Sequence, residues 1–349
     1  MDQSESVKPP VPGVVRRRAI HASDALVKER LLDPERRLPL LIEPAIHGVS
    51  LPDWAQNNRE LIRQRLQRHG GILFRGFNLS SVDEFELLLR SLTGELLEYS
   101  YRSTPRTQVS GRIYTSTEYP AHQTIPLHNE MSYTSHWPMV LGFFCVEVAL
   151  EGGETPIADS RRVFNLIDPA VRERFARKQV MYVRNYGEAL DLSWQNVFQT
   201  ENREEVEAYC RSSGIEFEWK NDNELRTMQV CQAVATHPDT GEQVWFNQAH
   251  LFHVSSLDAQ IRESLLSTSN GEPPRNACYG DGSQIEDAAL EEIRSVYDRE
   301  TVVFSWQRGD VLLLDNMLAA HGRRPYRGSR KIVVGMGNGA VSTNAEGVG

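Results

Sequence analysis

Val311-Leu-Leu-Leu-Asp-Asn-Met-Leu-Ala-Ala-His321-Gly322 begins as an unbroken aliphatic run and ends on a histidine. Four consecutive aliphatic residues with no polar alternation read as a short strand buried on both faces. Nine residues after His321 (330 − 321), Arg330 opens a second apolar run, Lys331-Ile-Val-Val-Gly335. Working outward, further strands are expected at Val140–Val148, Thr155–Asp159, Val180–Tyr186, Met228–Thr236, Gln243–Asn247 and Thr301–Trp306. All are rich in Val, Ile and aromatics and bounded by Gly, Asp and Asn turns. Many short strands without strict strand–helix alternation predict a mainly β sandwich or barrel with helical decorations.

Helices come from a second pattern. Ser50-Leu-Pro-Asp53 and Ser81-Val-Asp-Glu84 have the spacing of a helix-opening box, in which side chains satisfy free N–H groups. Each precedes apolar residues at helical spacing: Trp54, Leu61, Ile62 and Leu66, then Phe85, Leu88, Leu89 and Leu92. Gly71–Gly76 between them reads as a short buried strand. No G-x-G-x-x-G follows it, which excludes a dinucleotide-binding fold. Further helices are expected after Asp168-Pro169, between Asn202 and Gly214, and over Leu257–Leu266 and Glu286–Tyr297.

Composition narrows the class. The 349 residues include 38 basic and 47 acidic side chains, for a net charge of −9. That balance argues against a nucleic-acid partner, whose affinity rests on a basic surface. Cys145, Cys210, Cys231 and Cys278 lie far apart with no C-x-x-C pair, as in a reducing compartment. The most apolar stretch, Met139–Leu150, is too short to span a membrane and carries Glu147. The N-terminus has acids where a signal peptide needs cations. A cytoplasmic protein is expected, with residues 1–34 as a loose arm containing Pro9, Pro10, Pro12 and Arg16–Arg18, and 35–349 as one domain.

Chemistry concentrates at Pro126-Leu-His-Asn-Glu130. On an extended segment His128 and Glu130, two apart, share a face. An imidazole and a carboxylate so placed make two thirds of the 2-His-1-carboxylate triad that holds non-haem Fe(II). His321 at a strand exit supplies a third ligand. A basic residue entering the returning strand adds a place for an anionic co-substrate, and a guanidinium fork suits a carboxylate. Arg330 is the candidate; Arg323, Arg324 and Arg327 compete with it. In Glu151-Gly-Gly-Glu-Thr-Pro-Ile-Ala-Asp159, the glycines permit a tight turn and Thr155 offers a hydroxyl. A rival zinc pair, His250 and His253, lacks the glutamate of H-E-x-x-H. The serine-hydrolase elbow G-x-S-x-G is absent.

Taken together, His128-Asn-Glu130, Gly152-Gly-Glu-Thr155 and His321 with Arg330 resemble the taurine dioxygenase and clavaminate synthase-like superfamily of Fe(II)/2-oxoglutarate oxygenases. The runs YTSTEYPAHQTIPLHNEMSY, GGETPIADSRRV and VWFNQAHLFHVSSL resemble the subgroup of the syringomycin-cluster aspartate hydroxylase, which acts in nonribosomal-peptide pathways. The resemblance runs from about residue 35 to 340. It implies a double-stranded β-helix (jelly-roll) core with a helical insertion at about 161–300. Two departures stand out. The family more often uses Asp as the metal carboxylate, whereas Glu130 resembles the clavaminate synthase branch. The interval from His321 to Arg330 is shorter than in many members, so Arg324 remains the alternative carboxylate-binding arginine.

The resemblance also implies the roles. His128, Glu130 and His321 would hold Fe(II). 2-Oxoglutarate would chelate the metal, its far carboxylate meeting Arg330 and Thr155, and dioxygen would be the oxidant. Halogenating relatives lack the carboxylate ligand, so Glu130 implies hydroxylation. The substrate would be an amino acid, free or tethered to a peptidyl carrier protein. Arg112, Arg184, Asn247 and His250 are candidate substrate contacts. Arg323, Arg324 and Arg327 would form a basic rim at the metal mouth for an acidic carrier.

Overall fold

A computed structural model describes residues 26–98, 106–116, 119–187, 193–220, 223–268 and 272–341. Val311–Asp315 lies inside an eight-stranded sheet, antiparallel to Gly71–Phe74 on one side and His136–Glu147 on the other. Across the sheet the order is Val27–Leu31, Leu40–Pro44, Gly71–Phe74, Val311–Asp315, His136–Glu147, Lys331–Val341, Ile113–Thr115 and Gln108–Ser110. Successive side chains point to opposite faces. Val311 and Leu313 therefore pack with Trp54, Leu66 and Phe85 of the helices Leu51–Asn57, Arg59–His69 and Val82–Thr93. Leu312 and Leu314 pack on the other side with Ile157, Ala319, Ile332 and Val334. That second core lies against a three-stranded antiparallel sheet of Ile125–His128, Ala319–Arg323 and Ile157–Asp159. The two layers form the expected jelly-roll sandwich.

The insertion is built from strands as well as helices. Besides the helices Ser160–Leu166, Pro169–Lys178, Arg203–Ser212, Ala259–Thr268 and Asp287–Glu300, it contains an antiparallel sheet. Its strand order is Glu216–Trp219, Leu225–Cys231, Val180–Tyr186, Arg275–Tyr279. Phe175, Tyr182 and Trp245 of the insertion share a core with Leu127, Tyr133, Ala158 and Ala320 of the sandwich.

Several expectations need correction. Val27–Leu31 pairs with Leu40–Pro44, so the part of the supposed loose arm from residue 26 onward joins the sheet; Pro9 to Arg18 lie outside the described residues. Ser50 and Ser81 do cap their helices, accepting from Asp53 N and Glu84 N. Glu84, however, reaches back to Ser80 N. The first helix breaks at Asn58, whose side chain bonds back to Trp54 O at 2.7 Å. The strand expected over Met228–Thr236 divides into Leu225–Cys231 and Val234–Thr236. Gln232, between them, turns inward to donate to Ser132 O at 2.9 Å. Thr301–Trp306 is not a strand; only Val302 bridges to Ile157.

Candidate metal centre

His128 ends the strand Ile125–His128, and in the antiparallel register it stands opposite His321 of Ala319–Arg323. The two rings are 4.6 Å apart between centroids. Glu130 lies just beyond the strand end. One ligand atom from each of His128, Glu130 and His321 lies within 4.8 Å of the others. Among the described residues this is the one such cluster of His, Cys, Asp or Glu.

The quoted stretch also holds Glu130 in place. Asn316 Oδ1 accepts from Glu130 N at 2.7 Å, while its Nδ2 donates to Glu130 O at 2.9 Å and Pro138 O at 2.8 Å. Asn129 answers with a donation to Asn316 O. Asp315 accepts from Met317 N and Leu318 N and bonds buried His237 at 2.9 Å. The turn that delivers His321 is thereby closed from both sides.

The donor set suits a divalent cation. Burial pushes the pKa of both His128 and His321 down, that of His321 strongly with a further contribution from His128. Both imidazoles are thus kept neutral, the form that ligates. His128 Nδ1 sits 2.9 Å from Pro126 O, the bond that sets its tautomer and leaves Nε2 for a metal. Among the described residues His321 Nδ1, which is buried, has no hydrogen-bond partner, and its Nε2 lies 3.8 Å from Glu130 Oε2. Arg106, not singled out by sequence reasoning, donates from Nη2 to Glu130 Oε2 at 2.6 Å.

A cleft opens beside this cluster, and Arg106, His128, His321, Thr155, Ser116 and Arg330 contribute to its walls. Arg330 Nε donates to Gly153 O at 2.9 Å and Nη1 to Ser116 Oγ at 3.3 Å. Among the described residues no carboxylate pairs with it. Burial, reinforced by Arg323, brings its pKa down to about 10, so it stays cationic near neutrality. Thr155 accepts from Trp306 Nε1 at 3.1 Å, which leaves its own hydroxyl proton to donate. The glycine pair does what its spacing suggested. Gly152 has φ +67° and Gly153 φ +74°, and a Cβ on Gly153 would stand 2.9 Å from Arg330 Cδ. The wall can therefore lie flat against the arginine.

Other candidates fall elsewhere. Arg324 is exposed and is not part of the cleft wall. Arg323 does contribute to the cleft wall, but it is buried and its guanidinium is taken up by donation to Tyr119 O, Pro120 O and Gln123 O. Exposed Arg327 lies 3.5 Å from Glu151. None of the four candidate substrate contacts lines the cleft. Arg112 donates to Leu96 O and pairs with Glu98; Arg184 is buried over the Tyr186 ring. Asn247 bonds Ala233 O and Ala249 N, a purely backbone-holding role. His250 bonds Leu127 O and stacks on Tyr297, while His253 bonds Ser255 Oγ, so the rival zinc pair is not formed.

Comparison with known proteins agrees with this geometry. Residues 35–336 match the taurine catabolism dioxygenase TauD, TfdA family. The dapdiamide synthesis protein DdaC of Enterobacter agglomerans is 42% identical over 276 residues, 79% of this chain and 84% of that protein. A clavaminate synthase-like protein of Arabidopsis thaliana is 29% identical over 316 residues, covering 85% and 93%. The fold is similar to that of PvcB from Pseudomonas aeruginosa, with TM-score 0.54, 15% identity and 90% and 92% coverage. It is also similar to AAD-2 in complex with Mn(II) and N-oxalylglycine, with TM-score 0.52, 12% identity and 91% and 99% coverage. The chain belongs to the TauD/TfdA family and is an iron- and 2-oxoglutarate-dependent dioxygenase.

Proposed function

We propose that the protein hydroxylates an amino acid in nonribosomal-peptide or related secondary metabolism. The observation that carries this reading is one cleft walled by the two histidines of a His–Glu–His cluster and by a half-buried arginine with no carboxylate partner among the described residues. His128, Glu130 and His321 hold the iron. Arg330, with Thr155 beside it, takes the far carboxylate of 2-oxoglutarate through its remaining N–H and the threonine proton. When bound, iron and 2-oxoglutarate supply the oxidising chemistry, and the protein supplies position and a shielded cavity. Phe143, packed 5.1 Å from the His321 ring between centroids, makes the apolar part of the wall with Ile125 and Ile332. Glu130 fills the ligand position that a halogenase leaves open, which favours hydroxylation.

The relative named for dapdiamide synthesis supports a place in secondary metabolism. Four free cysteines, three of them buried, suit a cytoplasmic protein, and no helix among the described residues is long and apolar enough to cross a membrane. The test is incubation with Fe(II), 2-oxoglutarate and a panel of amino acids, each presented free and tethered to a carrier protein, with products read by mass. Gain of one oxygen supports hydroxylation. Loss of two hydrogens points to desaturation by the same machinery, and 2-oxoglutarate decay independent of iron would overturn the reading.

A further inference from the structure

Arg106 is 7% exposed, and its Nη2 meets Glu130 Oε2 at 2.6 Å, with both side chains almost wholly buried. We propose that Arg106 is a positioning residue that limits Glu130 to a single metal-ligating oxygen, and so keeps a third coordination position open beyond the two that 2-oxoglutarate takes. The proposal rests on the metal-centre reading above.

The division of labour around Glu130 points this way. Asn316 fixes its backbone at both N and O, which leaves the side-chain torsions as the remaining freedom. The guanidinium fixes those. A charge-assisted bond of this length, out of water, is among the strongest non-covalent restraints available to a carboxylate. A glutamate, with one more methylene than aspartate, is the ligand more able to swing and chelate with both oxygens. Three single-atom ligands leave three places on an octahedral ion, whereas a chelating carboxylate leaves two. With Oε2 engaged by Arg106, chelation by Glu130 requires breaking that bond.

The cation also has a cost for metal affinity. Positive charge beside a ligand lowers the ligand's hold on another cation. Removing it should therefore leave metal binding unharmed or stronger while closing the third position. A merely structural salt bridge would, when lost, weaken metal binding and leave that position open.

The experiment uses full-length protein as wild type, Arg106→Met and Arg106→Lys. Mn(II) alone is titrated by calorimetry, and the water-proton relaxation rate is then measured for each Mn(II)-loaded protein saturated with N-oxalylglycine, with circular dichroism as the folding check. In Arg106→Met, Mn(II) should bind as tightly as in wild type or tighter, and the paramagnetic relaxation enhancement of the N-oxalylglycine complex should fall roughly twofold or more, because the second carboxylate oxygen takes the place left for water. Arg106→Lys, which keeps charge but loses the planar fork, should fall between and decides the matter if the methionine variant does not fold. An unchanged relaxation enhancement in the folded variants overturns the proposal. So does a loss of Mn(II) binding. Wild-type protein that binds no Mn(II) would instead sink the metal-centre reading, and the proposal with it.

Discussion

His128 and His321 are direct partners across an antiparallel strand pair, their rings 4.6 Å apart. Strand register, a backbone property, thereby sets the spacing of two of the proposed metal ligands. The third is set by Asn316, which grips the main chain of Glu130 and not its side chain.

Glu130→Ala should accordingly remove the ligand without disturbing the turn that carries it. Expected results are a near-native circular dichroism spectrum and complete loss of Fe(II)-dependent succinate formation. Normal turnover by this variant would refute the triad.

Arg330 and Arg324 separate cleanly by placement, one in the cleft wall and one exposed. Arg330→Met should weaken 2-oxoglutarate binding by about 1.5–3 kcal/mol, roughly ten- to a hundredfold, the range for hydrogen bonds to a charged group. Arg324→Met should leave the 2-oxoglutarate KM unchanged. The reverse pattern would move the carboxylate site to Arg324.

Gly153→Ala tests the flat wall. The substitution forces a side chain into a backbone at φ +74° and puts its Cβ 3.0 Å from Arg330 Nε. Destabilisation of about 1–2 kcal/mol is expected from the left-handed backbone, together with a raised KM for 2-oxoglutarate. A lowered Tm with KM unaffected would show that Arg330 does not need this contact.

Burial holds the His250 pKa down at about 4, below the ordinary 6.5. The unfolded chain therefore takes up a proton near pH 6.5 that the folded protein refuses until about pH 4. Stability from this group is full above pH 6.5 and is lost as pH falls through that window. Linkage puts the loss at about 2 kcal/mol by pH 5. Urea unfolding of wild type and His250→Gln at pH 8 and pH 5 measures it; equal pH slopes for the two proteins would contradict the assignment.

How much of this was legible in the sequence follows from what kind of information each feature needs. His128 ends its strand, Glu130 lies just past it, and His321, although it sits within the short strand Ala319–Arg323, follows closely on the aliphatic run from Val311, so local pattern finds all three. Arg106 precedes Glu130 by 24 residues (130 − 106) and carries no periodic signal, so only the tertiary fold pairs them. Residues 302, 304 and 306 alternate as a strand should, and all three are buried. Alternation reports burial, however, and says nothing of a hydrogen-bonded neighbour, which this segment lacks beyond one bridge. Trp306 serves instead to hold Thr155. The candidate substrate residues lie off the cleft for a related reason: polar groups in apolar surroundings are often there to satisfy backbone carbonyls, as Asn247 and His250 are.

The pairing of His128 with His321 joins positions 193 residues apart (321 − 128). Synthesis proceeds from the N-terminus, so a growing chain carries His128 and Glu130 long before their partner leaves the ribosome. Asn316, which closes the Glu130 turn, arrives just as late. An unfinished or C-terminally truncated chain therefore holds two of the three proposed ligands on an unclosed turn, too weak a grip to retain redox-active iron. Completion of the fold and competence to hold iron become the same event, which spares the cell an oxidant on a chain that has not yet built the walls to contain it.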